Sequence, residues 1–377
     1  MTHFGFVSTV PPTRCGLATF TEALADALLD DPRSSASVVR VLDAPDGTGL
    51  TGRLAFAGPS VDLIAGRPRT VRQAAAMLSG CDVAIVQHEY GIYGGADGEE
   101  VVALLEATAS PAIVVLHTVL PDPTAHQHEV LIAVCRRASV VIVMTERARM
   151  TLARVFGVDG PRVRVVPHGV TTMVAAAPPA GSTRRVLTWG LISPGKGLEW
   201  GIRAMSLLRD VHPQVHYLMA GQTHPKVIAQ SGERYRTKLA GLVAQLELEQ
   251  RVRLDGRYLD PAELARLLAT ADAVLLPYDS TDQATSGVLA EAVAAGIPVV
   301  ATGFPHAIEL LAGGAGIVVP HRDPESMADA LRAILTTDAV AHAMRRSAAL
   351  SSANTSWLAV AEQYRAIAAE LVHLQLV

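Results

Sequence analysis

Residues 278–301 read YDSTDQATSGVLAEAVAAGIPVVA, and the architecture of the whole chain can be read outward from them. A short apolar run, Ala273 to Leu276, precedes them and is closed by Pro277. A polar segment that cannot extend a strand follows. From Ser286 an Ala-rich run of good helix formers carries one acidic residue, Glu291. Gly296 and Pro298 stop that helix, and Val299 to Ala301 read as the next strand. The unit is strand, polar loop, helix, strand, with Thr285 or Ser286 placed to cap the helix. Such a helix start presents unpaired N–H groups and a positive dipole end, which favour an anion, typically a phosphate. Glu291 lies between one and two turns further in, where a carboxylate can accept hydrogen bonds from a diol such as a ribose. The plain alternative is an ordinary βαβ unit with a solvent-facing glutamate.

The chain has 377 residues, which suits two domains of about 150 to 200 residues each. Half the residues are apolar and only 4% aromatic, so the cores are built mainly from Ala, Val and Leu, as in α/β proteins with buried parallel strands. A net charge of −4 argues against general nucleic-acid binding. From Val130 to Thr188, however, nine arginines face only Glu146 and Asp159. That bias is read as a solvated face or as a surface for an anionic acceptor or lipid headgroups, hence a possible peripheral membrane contact of the N-terminal domain. Cys15, Cys81 and Cys135 form no disulfide framework or zinc spacing, which fits a reducing cytoplasm. Neither a signal peptide nor an apolar run near the roughly 20 residues of a membrane span is evident.

Along the chain, His3 to Ser8 reads as a strand, VPPTRCG as a turn, and Leu17 to Leu29 as a helix, the usual opening of a Rossmann-like half. Val38 to Leu42 is a second strand, and Ala44 to Gly58 is irregular. Asp82 to Gln87 is a buried strand ending in His88, Glu89 and Tyr90. Ala112 to Leu116 is another, with His117 immediately at its end, where open α/β sheets bind ligands. Helices (Ala125 to Arg137, Glu146 to Phe156) and strands (Val140 to Met144, Val163 to Val166) complete the first half. VTTMVAAAPPAGST, after Pro167, His168 and Gly169, has neither period and reads as a linker. The second half restarts with a strand (Arg185 to Trp189), the loop GLISPGK from Gly190 to Lys196, and a helix. That loop is not a Walker loop, because Gly197 rather than Ser or Thr follows Lys196. A strand (His216 to Gly221), a polar run (Gln222 to Arg236) and a strand from Arg251 to Leu254, followed by Tyr258 and Leu259, lead back to the opening stretch. Phe304 to Leu311 and Ala315 to Val319 then close the sheet, and Pro324 to Leu335, Val340 to Leu350 and Trp357 to Val372 are helices.

The opening stretch resembles the signature of glycosyltransferase family 4 (glycosyl transferases group 1), retaining enzymes with the GT-B fold. Glu291, Ala292, Ala294, Gly296, Pro298, Val299, Val300 and Ala301 match its pattern; the first glutamate, eight residues earlier, is Gln283 here. The loop to Lys196 resembles the family's Gly-Arg-Leu-x-x-x-Lys-Gly loop, with Leu191 at the Arg position and Arg14 as a candidate replacement charge. The resemblance implies an α/β GT-B fold: two Rossmann-like domains (1–175 and 176–352) facing across a cleft, and a C-terminal helix (353–377) returning to the first. It implies a hexosyltransferase using a UDP-, GDP- or ADP-sugar donor and a glycan, lipid or small-molecule acceptor. By the same resemblance His117 is the catalytic-site residue directed at the donor sugar, Gln283 with Asp282 holds the sugar, and Glu89 lies on the acceptor side. Gly16, Gly190, Lys196, Ser286, Gly287, Val288 and Glu291 hold the nucleotide and diphosphate, with Tyr258 and Leu259 at the base. No carboxylate–histidine cluster has metal spacing, so neither metal nor cofactor is expected; Asp279 and Asp282 are the carboxylates a metal would use. Two other readings stand beside this one. One is another enzyme of the same architecture, a nucleotide-sugar epimerase or phosphorolytic enzyme. The other is a non-catalytic sugar-nucleotide-binding protein, suggested by Gln283 and Leu191.

Overall fold

A computed structural model describes residues 1–171 and 183–375. The chain divides into two compact units, Met1–Gly169 with Thr355–Val377, and Val170–Asn354. The linker expected at 170–183 falls almost wholly outside the described residues.

The first unit runs β1 (Thr2–Ser8), α1 (Gly16–Leu29), β2 (Ser34–Leu42), β3 (Ser60–Ile64), α2 (Pro68–Leu78), β4 (Val83–His88), α3 (Glu100–Ala107), β5 (Ala112–Leu116), α4 (Ala125–Arg137), β6 (Val140–Val143), α5 (Glu146–Phe156) and β7 (Val163–Val165). Its sheet has the order β3-β2-β1-β4-β5-β6-β7, parallel throughout. Every residue of β4 and β5 is buried, which is why both read as unbroken apolar runs rather than alternating ones.

The second unit runs β8 (Thr183–Trp189), α6 (Leu198–Ser206), β9 (Gln214–Ala220), α7 (Pro225–Ser231), α8 (Arg234–Gln245), β10 (Val252–Asp255), α9 (Pro261–Leu268), β11 (Ala273–Leu276), α10 (Gly287–Ala294), β12 (Val299–Thr302), α11 (Pro305–Leu310), β13 (Gly316–Val319), α12 (Pro324–Thr336) and α13 (Asp338–Ser351). Its parallel sheet has the order β10-β9-β8-β11-β12-β13. Two apolar clusters sandwich it: Val215, Tyr217 and Met219 with Ile202, Leu239 and Leu331 on one face, Leu187, Trp189 and Leu276 with Leu289 and Val293 on the other. In each unit the strand order reverses beside the first strand, between β1 and β4 and between β8 and β11. Open α/β sheets bind ligands at the carboxyl ends of strands at that reversal.

The last helix, α14 (Trp357–Gln375), belongs to the first unit. Val360, Tyr364, Ile367 and Leu371 join Phe20, Leu24 and Leu28 of α1 in one core, and Arg365 Nη2 donates to the Ala27 carbonyl at 2.6 Å. A side chain at Gly169 would run into the Trp357 ring, so glycine is needed where the helix seats.

Several elements differ from expectation, among them α3 and α9, which were not read as helices. β3 and α2 went unread, because β3 is short and half-exposed at the sheet edge and α2 shows a largely polar surface. Most of the polar run Gln222 to Arg236 is helical rather than loop. Phe304 to Leu311 is no strand: Pro305 takes the first position of α11, where its missing N–H costs nothing, and starts a helix that packs Ala307 and Leu311 into the cluster around Leu276 and Ala301.

Tyr364 is 1% exposed on α14. Tyr364→Ala is expected to destabilise the first unit by about 3 kcal/mol in urea unfolding. A loss below about 1 kcal/mol would show that α14 contributes little to that core.

Candidate active site

In the second unit, β8 ends at Trp189, whose Nε1 donates to Glu291 Oε2 at 3.0 Å across the reversal point. Gly190 follows with φ +105, a conformation that suits glycine, and Val288 of α10 lies 3.4 Å from where its Cβ would stand. The first turn of α10 therefore sits directly over the β8 terminus. Glu291 is enclosed beneath it. Burial raises its pKa, partly countered by the Trp189 hydrogen bond.

Lys196 closes a one-turn 3₁₀ segment, Pro194–Lys196. Its Nζ donates to Tyr278 Oη at 2.8 Å and lies 4.1 Å from the centre of that ring, a cation–π contact on a fully buried tyrosine. Gly197 has φ +57 and faces the Pro277 carbonyl so closely that no side chain fits. The Asp279 amide donates to the Gly195 carbonyl at 3.1 Å, and Trp200 Nε1 to Asp279 Oδ1 at 3.0 Å. The lysine loop is thus latched to the end of β11. Asp279 also pairs with Arg322 at 3.0 Å, which commits the carboxylate considered above for a metal. Among the described residues no group of three or more His, Cys, Asp and Glu could hold a metal ion.

The tip of α10 divides its donors between the fold and an anion. Ser286 Oγ caps the helix by accepting from the Leu289 amide at 3.3 Å, and the Ser286 amide donates to His306 Nδ1 at 2.8 Å. With the Ser286 amide engaged, its hydroxyl proton and the amides of Gly287 and Val288 are the donors placed for an anion. Gln283 Nε2 donates to the Thr285 carbonyl at 3.1 Å. That orientation spends the amide's donor inside the loop and keeps Oε1 as an acceptor, as a carboxylate oxygen would be. Asp282 accepts from Ser280 Oγ at 2.7 Å.

Gly190, Lys196, Gly287, Val288 and Glu291 therefore gather at one reversal point. Tyr258 and Leu259 do not: they follow β10 at the sheet edge, where Tyr258 is 45% exposed and Leu259 packs against an apolar cluster. Sequence reasoning missed Trp189, Tyr278 and His306. The first two could have been noticed at the carboxyl ends of β8 and β11; His306 carried no local signal.

In the first unit, Gly16 opens α1, capped by Cys15 Sγ, and nothing lies within 4 Å of where its Cβ would stand. His117 follows β5, and its Nε2 meets Gln87 Oε1 at 2.7 Å, which leaves Nδ1 as the ring's other polar atom. The ring packs edge-on to Phe20 at 4.8 Å. Burial, then His168 and His88, lowers the His117 pKa to about 3, and burial lowers that of His88 to about 4. A neutral imidazole of this kind gives or takes a hydrogen bond and is not a proton donor near neutrality. Glu89 ties two loops together, accepting from Thr118 Oγ1 at 2.6 Å and from the Tyr90 amide at 3.0 Å. Of the nine arginines between 130 and 188, Arg137, Arg149, Arg164 and Arg184 are in ion pairs, so part of the positive bias is neutralised within the fold. No helix among the described residues is long and apolar enough to cross a membrane.

The ring resonances of His88 and His117 are expected to keep their neutral positions from pH 8 down to pH 5. Because both native pKa values lie below the ordinary one of about 6.5, their contribution to stability is full above pH 6.5 and is lost as the pH falls towards 4. A titration midpoint near 6.5 for His117 in NMR would refute the neutral assignment.

A family model described as glycosyl transferases group 1 matches residues 183–337. Among similar proteins, the D-inositol 3-phosphate glycosyltransferase of Corynebacterium efficiens is 28% identical over 250 residues, 62% of this chain and 57% of that protein. The enzyme of the same name from Kineococcus radiotolerans is 30% identical over 253 residues, 61% and 56%. The chain thus spans little more than half the length of these relatives. Among solved structures, Anabaena Alr3699/HepE in complex with UDP and glucose superposes with a TM-score of 0.76 at 16% identity, over 98% of this chain and 100% of that one. Sucrose-phosphate synthase from Thermosynechococcus elongatus gives 0.78 at 18%, over 99% and 100%. These likenesses show the fold, two Rossmann-like units of GT-B type. The family match over residues 183–337 and the relatives make this chain similar to the group 1 glycosyl transferases, and its fold is of GT-B type.

Proposed function

We propose that the chain is a retaining glycosyltransferase that moves a hexosyl unit from a nucleotide-diphosphate sugar to a carbohydrate, lipid or small-molecule acceptor. The observation that carries this reading is the gathering of a lysine, a helix start and an enclosed carboxylate at the β8/β11 reversal. The donor diphosphate lies against Lys196 and the amides of Gly287 and Val288, and its ribose diol donates to Glu291. In the reaction the bond from the anomeric carbon to the diphosphate oxygen breaks and its electron pair leaves with the diphosphate. The acceptor oxygen bonds to that carbon on the same face and releases its proton to the departing phosphate. Fixed donors aimed at the growing charge lower the barrier because they need not reorganise. This charge balance is met by Lys196 and the helix tip, so metal-independent turnover is proposed with it. His117, neutral, positions a sugar hydroxyl; Gln283 Oε1 accepts from another. The relatives' name makes D-inositol 3-phosphate a first acceptor to test, in a cytoplasmic setting.

Turnover of UDP-, GDP- and ADP-glucose, with and without EDTA, tests the reading. Lys196→Ala is expected to lower kcat about 100- to 1000-fold. Gln283→Ala is expected to lower it less, about fivefold, since a neutral hydrogen bond is worth about 1 kcal/mol. Because the ribose needs the carboxylate, donor affinity should fall as the pH drops through the raised pKa of Glu291. Unchanged turnover in Lys196→Ala would overturn the proposal.

A further inference from the structure

The second unit carries a groove of about 740 Å³ on a face of its sheet, and neither Gly190 nor Lys196 lines it. Its origin is the period of two along a strand. Val186, Val215, Tyr217, Met219 and Val252 all point into the cluster packed by α6, α8 and α12. Arg185, His216, Leu218, Arg251 and Arg253 therefore point to the opposite face. The register sets Arg185 beside His216 and Leu218 beside Arg253; since Val252 pairs with Tyr217, Arg251 stands next to His216. The short α9 covers this face only in part, and Arg266 and Leu267 of that helix, with Leu259 before it, form the groove's wall.

The charges here are not balanced. Arg257 is held by Asp255 at 2.8 Å and Glu263 at 3.5 Å, and Arg251 donates to the carbonyls of Leu208 and Arg209. Glu249 is the remaining lining carboxylate. Arg185, Arg253 and Arg266 have no carboxylate within ion-pair distance among the described residues. His216 Nε2 is buried without a hydrogen-bond partner. Arg185 on β8 and Arg253 on β10 stand on either side of β9, so an anion bound over His216 and Leu218 lies between them. Guanidinium groups match phosphoryl oxygens in forked pairs. Leucines 218, 259 and 267 add an apolar surface to the same groove, whose size is that of a small-molecule pocket.

We propose that this groove is a second binding site, for a small organic phosphate whose phosphoryl group lies among Arg185, Arg253 and Arg266 and whose apolar or ring portion rests on Leu218, Leu259 and Leu267. The site is separate from the reversal point and does not depend on the transferase reading.

Calorimetric titration of the full chain with phenyl phosphate and with inorganic phosphate tests it. Phenyl phosphate is expected to bind at least about fivefold more tightly than inorganic phosphate, because only it reaches the leucines. The double variant Arg185→Ala/Arg253→Ala should weaken phenyl phosphate at least about tenfold, and Arg266→Ala alone should weaken it several-fold. Lys196→Ala should leave it unchanged. Circular dichroism and Tm check that the variants stay folded, which the unpaired state of the three arginines favours. Binding that survives the double variant but is lost in Lys196→Ala belongs to the reversal point and overturns the proposal. So does equal affinity for the two phosphates, or no binding at millimolar concentration.

Discussion

The hydrogen bond from Trp189 to Glu291 is the constraint on which the candidate site rests. It joins the end of β8 to the second turn of α10 and so fixes the helix start over Gly190. A carboxylate enclosed this way has one protein donor and a raised pKa, an arrangement that stores cost until further donors arrive. A diol supplies them. The second latch, between the lysine loop and Pro277, Tyr278 and Asp279, holds Lys196 against an aromatic face on the neighbouring strand terminus. Both latches follow from the strand order, which places β8 and β11 side by side although four α-helices and two strands separate them in sequence.

The first unit repeats the topology with different chemistry. Its strand ends carry an imidazole held by an amide and kept neutral by burial and by two neighbouring imidazoles. Glu89 is spent on joining the loops after β4 and β5, so its role is first to hold His117's loop in place. The packing of Phe20 against both His117 and Trp357 couples that ring to α14, the element contributed from the far end of the chain.

Much of this was legible in the sequence, for identifiable reasons. Buried parallel strands such as β4, β5 and β11 announce themselves as apolar runs, and a residue standing just after such a run, His117 or Lys196's loop, must lie at a strand's ligand-binding end. What escaped was whatever depends on tertiary partners. The amide of Ser286 looked available until His306, twenty residues on, proved to accept from it. Gln283 looked like a defect in a motif, yet its donor is absorbed locally and the acceptor is retained. β3 and α2 were invisible because an edge strand and a polar helix surface blur the periodicities that mark an element. The groove was readable in principle, since arginines at alternate positions of β8 and β10 point one way, but only the strand order brings them together.

A crystal structure of the full chain with UDP bound tests the central claim most directly. The diphosphate is expected within about 3 Å of Lys196 Nζ and the amides of Gly287 and Val288, with the ribose hydroxyls on Glu291. A diphosphate bound elsewhere, with Lys196 still resting on Tyr278 and Glu291 bonded to Trp189 alone, would contradict it.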